Sequence, residues 1–552
     1  MKHLLQIYCK NNKISQNFEL GTTILEVYNK IKPEMPHRAL CALVNNRVEG
    51  LKFRLFGSKQ IKFLDITSSL GRKVYTRSLS FVLWKAVEEL YPGAILQFEA
   101  PASKGYYFTL NVGRELTLDD AQALKRRMRE IVDAGMKFRR IECPTDEAVK
   151  LFREHGMEKK AKLIEGLGRL YAHYYMLGDS IDYYYGPLVP STDYLDMFDL
   201  VRYYDGILLR IPREDGVELG EIVKQEKMLQ AFADNHKLER FFGVSTVGDL
   251  NEVTAKGYAG DIIKVAEAMQ EKKICKIAEQ IAEKESAKIV LISGPSSSGK
   301  TTFSKRLSLQ LLTCGLKPMA ISLDDYFVDR EKTPRDESGD YDYESLYSLN
   351  LPLFNDHLGR LLSGEEVELP RYDFPTGKSV MSGKRIKLEP NTVLILEGIH
   401  ALNPQLTDSI DDSRKFKIYI SALTTIKLDN HNYIPTTDNR LIRRIVRDYK
   451  YRGMSPEDTI ARWPSVRRGE DKWIFPYQEN ADVMFNSALL YELGVLRDRI
   501  LPILESIPEC KPEYSVAANL NDLIRYFRPI SDEELPPTSL LREFLGGSSF
   551  RY

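Results

Sequence analysis

The sequence has few features that would place the protein outside the cell or in a membrane. Its 6 cysteines are scattered, with neither a CxxC pair nor the spacing of a metal site, so we expect reduced thiols rather than disulfides. No stretch approaches the ~20 apolar residues that a membrane helix needs, and the apolar run at the N-terminus is too short for a signal peptide. We therefore expect a cytoplasmic protein with no membrane partner.

An excess of charge of one sign is also missing. The 78 Lys and Arg residues balance the 78 Asp and Glu residues, so no overall field attracts nucleic acid or an anionic membrane. Any basic site must therefore be local. The 552 residues exceed what one hydrophobic core usually spans, and we expect roughly two to four domains.

The most informative motif begins with the apolar run "AKIVLIS" at 287–293, which predicts a buried parallel strand. Behind it, Gly294-x-x-x-x-Gly299-Lys300-Thr301 matches the Walker A pattern between a strand and a helix. Backbone N–H groups of such a loop surround an anion, the lysine reaches the outer phosphates, and the threonine hydroxyl can hold Mg²⁺. The predicted nucleotide contacts are Gly294, Pro295, Ser296, Ser297, Ser298, Gly299, Lys300, Thr301 and Thr302. Because the guanine-reading NKxD signature is absent, we expect ATP.

Two acidic residues follow the next predicted strand, in "KPMAISLDDYF" at 317–327. Asp324 and Asp325 stand where a strand meets a loop, the edge on which doubly wound sheets bind ligands. A carboxylate there can accept a proton from a hydroxyl that attacks the γ-phosphate. The alternative is that the two acids cap a helix or hold magnesium through water.

A basic helix is predicted over 440–452. Leu441, Ile442, Ile445, Val446 and Tyr449 form an apolar stripe, whereas Arg440, Arg444 and Arg447 lie on another face. Guanidinium groups beside a phosphate site would neutralise charge on a transferred phosphoryl group. The alternative is a solvated basic face.

The motifs "SLDDYF", "GDYDYESL", "LPRYDFPTGKS", "VLILEGIHAL" and "RLIRRIVRDYKYRG" resemble, in this order, those of the uridine kinase and phosphoribulokinase family. The resemblance implies a parallel, doubly wound P-loop kinase domain, which we assign to 287–552. It implies that Asp324 is the base for a sugar 5'-hydroxyl, that Asp342 and Tyr372 contact the nucleoside, and that Glu397 orders Mg²⁺. Lid and substrate arginines would be Arg444, Arg447 and Arg452.

The chain departs from this family at three places. Gly377 replaces the histidine that reads the pyrimidine, Met454 replaces a lid arginine, and "KLDNHNYIPTTDNR" at 427–440 is an additional stretch. Base recognition is therefore open.

Residues 1–66 predict a small β-grasp fold. "TTILEVYNKI" gives a helix behind a Thr22 cap, and Asn45-Asn46 marks a hairpin. The pattern resembles the TGS domain found at the front of threonyl-tRNA synthetases and some GTPases. A generic β-grasp fold without a ligand and an RNA-contacting role both stay open.

Residues 67–213 resemble the second N-terminal domain of threonyl-tRNA synthetase, an α+β proofreading domain, through "SLSFVLWKAVEELYPGA", "GYYFTLNV", "LTLDDAQALKRRMREIV" and "IDYYYGPLVPSTDY". The positions of that family's polar editing groups hold Phe81, Lys85, Tyr184 and Leu188. Phe, Tyr and Leu cannot activate water, so we expect editing to be lost and the domain to be a scaffold, a dimer surface or a small-molecule sensor.

Residues 214–286 predict a helical connector, whose last helix packs either on the kinase part or on a second copy of the chain. The function that we predict is phosphoryl transfer from Mg-ATP to the 5'-hydroxyl of a nucleoside, uridine or cytidine first. One alternative is a kinase for another sugar or phosphorylated metabolite. Another is a tRNA-binding regulator in which the front half contacts RNA and the P-loop hydrolyses ATP.

Overall fold

The computed structural model describes residues 4–336, 339–373 and 375–551, without the side chains of 236–240. Within these residues, none of the helices combines the length and the apolar character that crossing a bilayer requires.

The first region is a mixed five-stranded sheet with one helix. The strand order is β2-β1-β5-β3-β4, in which β1 and β5 are parallel and the other pairs antiparallel. Its elements are β1 (Leu4–Cys9), β2 (Ile14–Glu19), α1 (Ile24–Ile31), β3 (Cys41–Val44), β4 (Arg47–Gly50) and β5 (Lys59–Leu64). Asn45 and Asn46 both have positive φ, 48° and 64°, as the predicted two-residue hairpin requires.

The predicted cap of α1 is wrong by one residue. Thr23, not Thr22, accepts a hydrogen bond from the backbone of Glu26, whose carboxylate accepts from the Thr23 N–H. This reciprocal pair satisfies two donors at the helix start. The Thr22 hydroxyl donates instead to the Glu19 carbonyl, 2.7 Å away.

The second region joins a four-stranded sheet (β11-β12-β7-β6) and a three-stranded sheet (β10-β9-β8), both antiparallel. The long helix α2 packs on the first region's core as well as on its own sheets. The elements are α2 (Ser69–Leu90), β6 (Ile95–Ala102), β7 (Gly105–Asn111), α3 (Leu118–Asp133), β8 (Arg139–Pro144), α4 (Thr145–Glu154), α5 (Glu158–Glu165), β9 (Tyr171–Leu177), β10 (Ser180–Asp182), β11 (Asp199–Tyr203) and β12 (Gly206–Arg210).

The editing positions lie inside this second region. Phe81, Lys85, Tyr184 and Leu188 are all buried, and the rings of Phe81 and Tyr184 lie 5.8 Å apart. Lys85 forms an ion pair with Glu89 on the next turn of α2, at 2.9 Å. Packed and paired side chains therefore occupy the positions that the resemblance assigns to editing.

Three helices lead from the second region to the third: α6 (Glu226–Phe242), α7 (Val247–Ala255) and α8 (Ala259–Glu283). The last helix packs against the third region of the same chain, the first of the two options. Glu271 on α8 pairs with Arg306 at 2.5 Å, and Ile274, Ile277 and Ile281 are buried beneath the parallel sheet.

The third region is built on a five-stranded, all-parallel sheet of order β14-β17-β13-β18-β19. Alternate residues of β13 enter two different cores: Ile289 and Leu291 face one, Val290 and Ile292 the other. Burial on both faces explains the continuous apolar run. The predicted multidomain fold class is confirmed.

The elements of this region are β13 (Ile289–Ser293), α9 (Lys300–Thr313), β14 (Lys317–Ser322), α10 (Leu351–Leu362), β15 (Val367–Asp373), β16 (Lys378–Ile386), β17 (Thr392–Glu397), β18 (Lys415–Ser421), α11 (Thr436–Tyr451), α12 (Pro456–Trp473), β19 (Val483–Asn486), α13 (Glu492–Glu505), α14 (Tyr514–Ile524) and α15 (Arg542–Leu545). Strands β15 and β16 form a separate hairpin.

Candidate functional site

The phosphate loop, residues 294–299, connects β13 to the N-terminus of α9. A Cβ on Gly294 would lie 2.0 Å from the carbonyl oxygen of Ile420 on β18, so only glycine fits there. Gly299 has φ +83°, which favours glycine as the loop turns into the helix. Steric constraints thus explain glycine at both positions. The loop leads with its backbone into the helix N-terminus, which is an anion-binding arrangement.

Polar atoms of the loop are available for an anion. The hydroxyls of Ser297 and Ser298 are buried, and neither has a hydrogen-bond partner within the described part of the chain. The Lys300 ammonium donates to the Pro295 carbonyl at 3.2 Å, which holds it over the loop. A buried hydroxyl without a hydrogen-bond partner destabilises the fold unless a bound ligand supplies that partner. A phosphate would supply it.

The structure separates the two acids that follow β14. Asp324 is exposed and lies close enough to Lys300, Arg452 and Arg447 to interact with them electrostatically. Asp325 faces the hairpin, where the Tyr372 backbone hydrogen-bonds to it. Ser322 caps the short helical turn over Leu323–Tyr326, so the capping alternative does not apply to Asp324. Desolvation by the surrounding protein raises the pKa of Asp324, and the three cations oppose this.

Thr301 and Glu397 are the residues that could hold a metal ion beside the phosphate loop. The Thr301 hydroxyl hydrogen-bonds to Glu397, which ends β17 beside the loop. Burial raises the pKa of Glu397 to about 7 despite the nearby Lys300 ammonium. Among the residues described, no group of three or more His, Cys, Asp and Glu side chains could hold a metal. One carboxylate and one hydroxyl fit Mg²⁺, which usually takes its other ligands from water and phosphates.

Helix α11, the arginine helix, is held to the phosphate loop by two buried arginines. Arg440 donates to the Ser296 carbonyl at 3.0 Å, and Arg443 lies 3.5 Å from the Ser297 carbonyl. Arg440 is therefore not part of an open basic stripe with Arg444 and Arg447, because its guanidinium is already bound in the core. Sequence analysis did not single out Arg443.

Asp448 organises the remaining arginines of this helix. It is fully buried and lies 3.2 Å from Arg444, 3.1 Å from Arg447 and 3.4 Å from Arg452. Arg444 also donates to the Ser296 hydroxyl at 2.8 Å. The predicted lid arginines are thus brought together beside the phosphate loop. The i, i+4 spacing of Arg444, Asp448 and Arg452 was a readable signal for this arrangement.

Glu470 on α12 is a second organising acid that sequence analysis missed. It is fully buried, accepts a hydrogen bond from the Ser296 N–H at 3.1 Å, and pairs with Arg440 and with Arg467. Although burial opposes ionisation, the two arginines hold the pKa of Glu470 below its usual value. Removing one member of such a pair leaves a buried charge, at a cost of about 3–5 kcal/mol.

Glu344 is a third acid that the analysis missed, within the motif "GDYDYESL". Its Oε2 atom is buried without a hydrogen-bond partner among the described residues, although Arg444 and Lys300 are near. A Cβ on Gly469 would lie 2.2 Å from the Glu344 Cβ, so Gly469 permits this close packing. Burial, reinforced by Glu470, raises the pKa of Glu344 to about 7.

Glu344→Gln should stabilise the protein at pH 8 and leave it unchanged near pH 4.5. A raised carboxyl pKa contributes stability below its ordinary value of 4.5, and this contribution is lost as the pH rises through about 7. The difference at pH 8 is at most about 3 kcal/mol. Thermal midpoints at the two pH values measure it.

The exposed Glu366 provides the control, because Glu366→Gln should follow the unmodified protein at both pH values. Equal midpoints for the Glu344→Gln and unmodified proteins at pH 8 would contradict the assignment.

The predicted nucleoside contacts, Asp342 and Tyr372, are both held by neighbouring residues. Asp342 is half-buried and accepts from the Glu344 N–H at 3.2 Å. Tyr372 is buried against Phe327, with ring centroids 5.4 Å apart, and hydrogen-bonds to Arg330. A Cβ on Gly377 would lie 2.7–2.8 Å from Arg330 atoms. Arg330 therefore fills the space next to the position where the uridine kinase pattern has histidine.

The C-terminal segment docks on the phosphate loop. Leu540 packs next to Gly299, and Phe544 lies under the Arg443 guanidinium. Glu543 accepts a hydrogen bond from the Thr302 hydroxyl at 2.6 Å. Thr302, a predicted nucleotide contact, thus binds a carboxylate of the chain itself in this structure.

Comparison with known proteins finds different relatives for the two ends of the chain. Residues 289–489 match the model of the phosphoribulokinase / uridine kinase family. A structure described as a possible uridine kinase from Bacillus stearothermophilus matches at 20% identity and a TM-score of 0.25, over 36% of this chain and 89% of that chain.

Curated relatives include threonine–tRNA ligases. The ligase of Carboxydothermus hydrogenoformans is 26% identical over 200 residues, which cover 36% of this chain and 31% of the ligase. That of Clostridium tetani is 26% identical over 259 residues, 45% of this chain and 40% of the ligase. The chain therefore spans well under half the length of these relatives. Residues 289–489 form a P-loop kinase domain of the phosphoribulokinase / uridine kinase family, which implies ATP binding, and the chain joins this domain to an N-terminal region similar to the N-terminal part of threonine–tRNA ligases.

Proposed function

We propose that the chain transfers the γ-phosphoryl group of ATP to the hydroxyl of a small molecule, with the 5'-hydroxyl of uridine or cytidine as the first candidate. The observation that carries the proposal is the position of Asp324, an exposed carboxylate close enough to Lys300 of the phosphate loop and to Arg447 and Arg452 to interact with them electrostatically. An exposed carboxylate near a phosphate-binding cation suits in-line transfer to an alcohol.

In this mechanism, Asp324 accepts the proton of the acceptor hydroxyl as its oxygen bonds to the γ-phosphorus. The bond between that phosphorus and the bridging oxygen breaks, and ADP leaves. Its raised pKa makes Asp324 a better proton acceptor than an ordinary carboxylate. Thr301 and Glu397 would hold Mg²⁺, which supplies positive charge to the phosphates.

The cationic side chains stabilise the charge on the transferred group. Lys300 stands at the loop, and Asp448 holds Arg444, Arg447 and Arg452 in fixed positions beside it. Preorganised charges of this kind do not have to reorient during the reaction, which is why they lower the barrier. The proposed acceptor contacts are Asp342, Tyr372, Arg447 and Arg452.

A second candidate acceptor is a sugar-like alcohol that carries a phosphate or carboxylate. The supporting observation is Arg330, which crowds the space beside Gly377 where a base-reading side chain would stand. A guanidinium only donates hydrogen bonds, and it pairs with planar anions as readily as with a pyrimidine carbonyl.

A panel of acceptors with γ-labelled ATP separates these candidates. We expect label transfer to uridine or cytidine, with little release of free phosphate when no acceptor is present. Transfer to sugar phosphates or sugar acids alone would establish the second candidate. Phosphate release that no acceptor changes, but that bulk tRNA stimulates, would contradict both and support an RNA-linked ATPase.

A further inference from the structure

The stretch before the arginine helix, which the kinase pattern lacks, lies on the second region of the chain. Within this pre-helix segment, residues 427–434, the Asn430 carbonyl accepts from the Phe98 N–H at 3.0 Å, and the Asn432 side chain donates to the Tyr183 carbonyl at 2.8 Å. The rings of Tyr433 and Tyr106 lie 5.2 Å apart. The pre-helix segment thus contacts strands and loops of the second region at several points along its length.

The centre of this contact is a buried network of charged groups. Lys160 on α5 lies 2.6 Å from Asp182 of β10 and 2.7 Å from Asp429 of the pre-helix segment. His431 lies 2.8 Å from the other oxygen of Asp182, which also accepts from the Tyr184 hydroxyl at 2.8 Å. Asp182 and Asp429 are 0% exposed, and Lys160 and His431 are 2% and 7% exposed.

Such a network is a poor source of stability, because removing these charges from water offsets most of their attraction. It demands accurate geometry instead, since each oxygen and each N–H must find its partner. Four groups on three elements satisfy one another here. The network therefore favours one placement of the pre-helix segment over others.

The placement continues into the arginine helix. Asp429 accepts from the N–H groups of His431 and Asn432, at 2.8 and 3.1 Å, which forms the turn that precedes the helix. In the first turn of that helix, Asp438 pairs with Lys73 of α2 at 2.9 Å. The same helix then binds the phosphate loop through Arg440 and Arg443.

The network lies beside the positions that the resemblance assigns to editing. Tyr184 is one of them, and Trp84, on the same helix as Phe81 and Lys85, lies with its ring 4.7 Å from that of His431. The kinase's own segment thus covers this surface.

We propose that Asp182 and Lys160, with Lys73, are positioning residues of the kinase: they fix the pre-helix segment and thereby hold the arginine helix against the phosphate loop. The proposal rests on the proposed function, since it concerns the same site. It gives the second region a task in phosphoryl transfer through the orientation of Arg444 and Arg447, without contact with either substrate.

Asp182→Asn in the 552-residue chain tests the proposal. The change is nearly isosteric and leaves Lys160 paired with Asp429. We expect amide hydrogen exchange of residues 440–448 to accelerate, and affinity for a fluorescent ATP analogue and turnover each to fall about 3- to 30-fold. The KM for the acceptor should change less than these two quantities.

Asp120→Asn is the matched control, because Asp120 is 4% exposed, pairs with Arg114 and lies in the same region away from the pre-helix segment. It should lower the thermal midpoint without changing exchange at 440–448 or nucleotide affinity. Equal effects of the two variants on these readouts, or none from Asp182→Asn, would overturn the proposal.

If Asp182→Asn does not fold, Lys73→Met replaces it, with Lys125→Met as its control. Lys73 and Lys125 both form partly exposed ion pairs with aspartates, Asp438 and Asp199, but only Asp438 belongs to the arginine helix. Faster exchange at 440–448 in Lys73→Met alone supports the proposal, and unchanged exchange overturns it. Failure of the proposed function would appear as an unmodified protein that is inactive with every acceptor. Hydrogen exchange is measured without an acceptor, so it tests the positioning role even then.

Discussion

Asp324→Asn should lower turnover about 10²–10⁴-fold, the usual contribution of a general base. Asparagine keeps the size of the side chain but cannot accept the acceptor proton. Nucleotide affinity should be retained or slightly improved, because the substitution removes a negative charge that faces Lys300. Single-turnover label transfer at saturating ATP, together with the binding of a fluorescent ATP analogue, measures both quantities.

Asp325→Asn is the control, because it makes the same chemical change one residue further along the chain. Its carboxylate faces the Tyr372 backbone rather than the phosphate loop, so we expect turnover within a fewfold of the unmodified protein. Unchanged turnover in Asp324→Asn would refute the assignment of the base, whatever the effect of the control.

Lys300→Met should lower kcat/KM for ATP about 10²–10³-fold, the cost of removing one preorganised donor from developing charge. The methionine side chain keeps much of the apolar length but loses the ammonium that the Pro295 carbonyl now holds over the loop. Steady-state kinetics with ATP as the varied substrate measure the loss, and it should appear in both kcat and KM.

Lys317→Met controls for loss of a positive charge in the same region. Lys317 begins β14, is 64% exposed and pairs with Glu389 at 2.6 Å rather than with a residue of the phosphate loop. Its kinetics should remain unchanged. A Lys300→Met protein that retained its kcat/KM for ATP would contradict the role of the phosphate loop.

Local signals predicted the parts of the site that depend on neighbouring residues. The apolar run and the two glycines predicted the strand, the loop and the helix in order, because backbone sterics and burial act over a few residues. The arginines of α11 and the acid after β14 were likewise readable from the sequence. The order of motifs along the chain then indicated that they belong to one site.

Contacts between distant segments could not be predicted from the sequence. Glu470 meets the phosphate loop from 174 positions away, and Glu543 meets Thr302 from 241 positions away. Nothing in the residues around Glu344 shows that Gly469 leaves room for it. Arg440 was placed on an open face because a helical pattern gives the direction of a side chain but not the partner that buries it.

The central claim is that Asp324 and the phosphate loop face each other across one reacting phosphoryl group. A crystal structure with Mg²⁺, a non-hydrolysable ATP analogue and the acceptor found in the panel tests it most directly. We expect an Asp324 oxygen about 2.6–3.2 Å from the acceptor hydroxyl, with that hydroxyl in line with the γ-phosphorus. An Asp324 side chain directed into bulk solvent, away from the terminal phosphorus, would contradict the account.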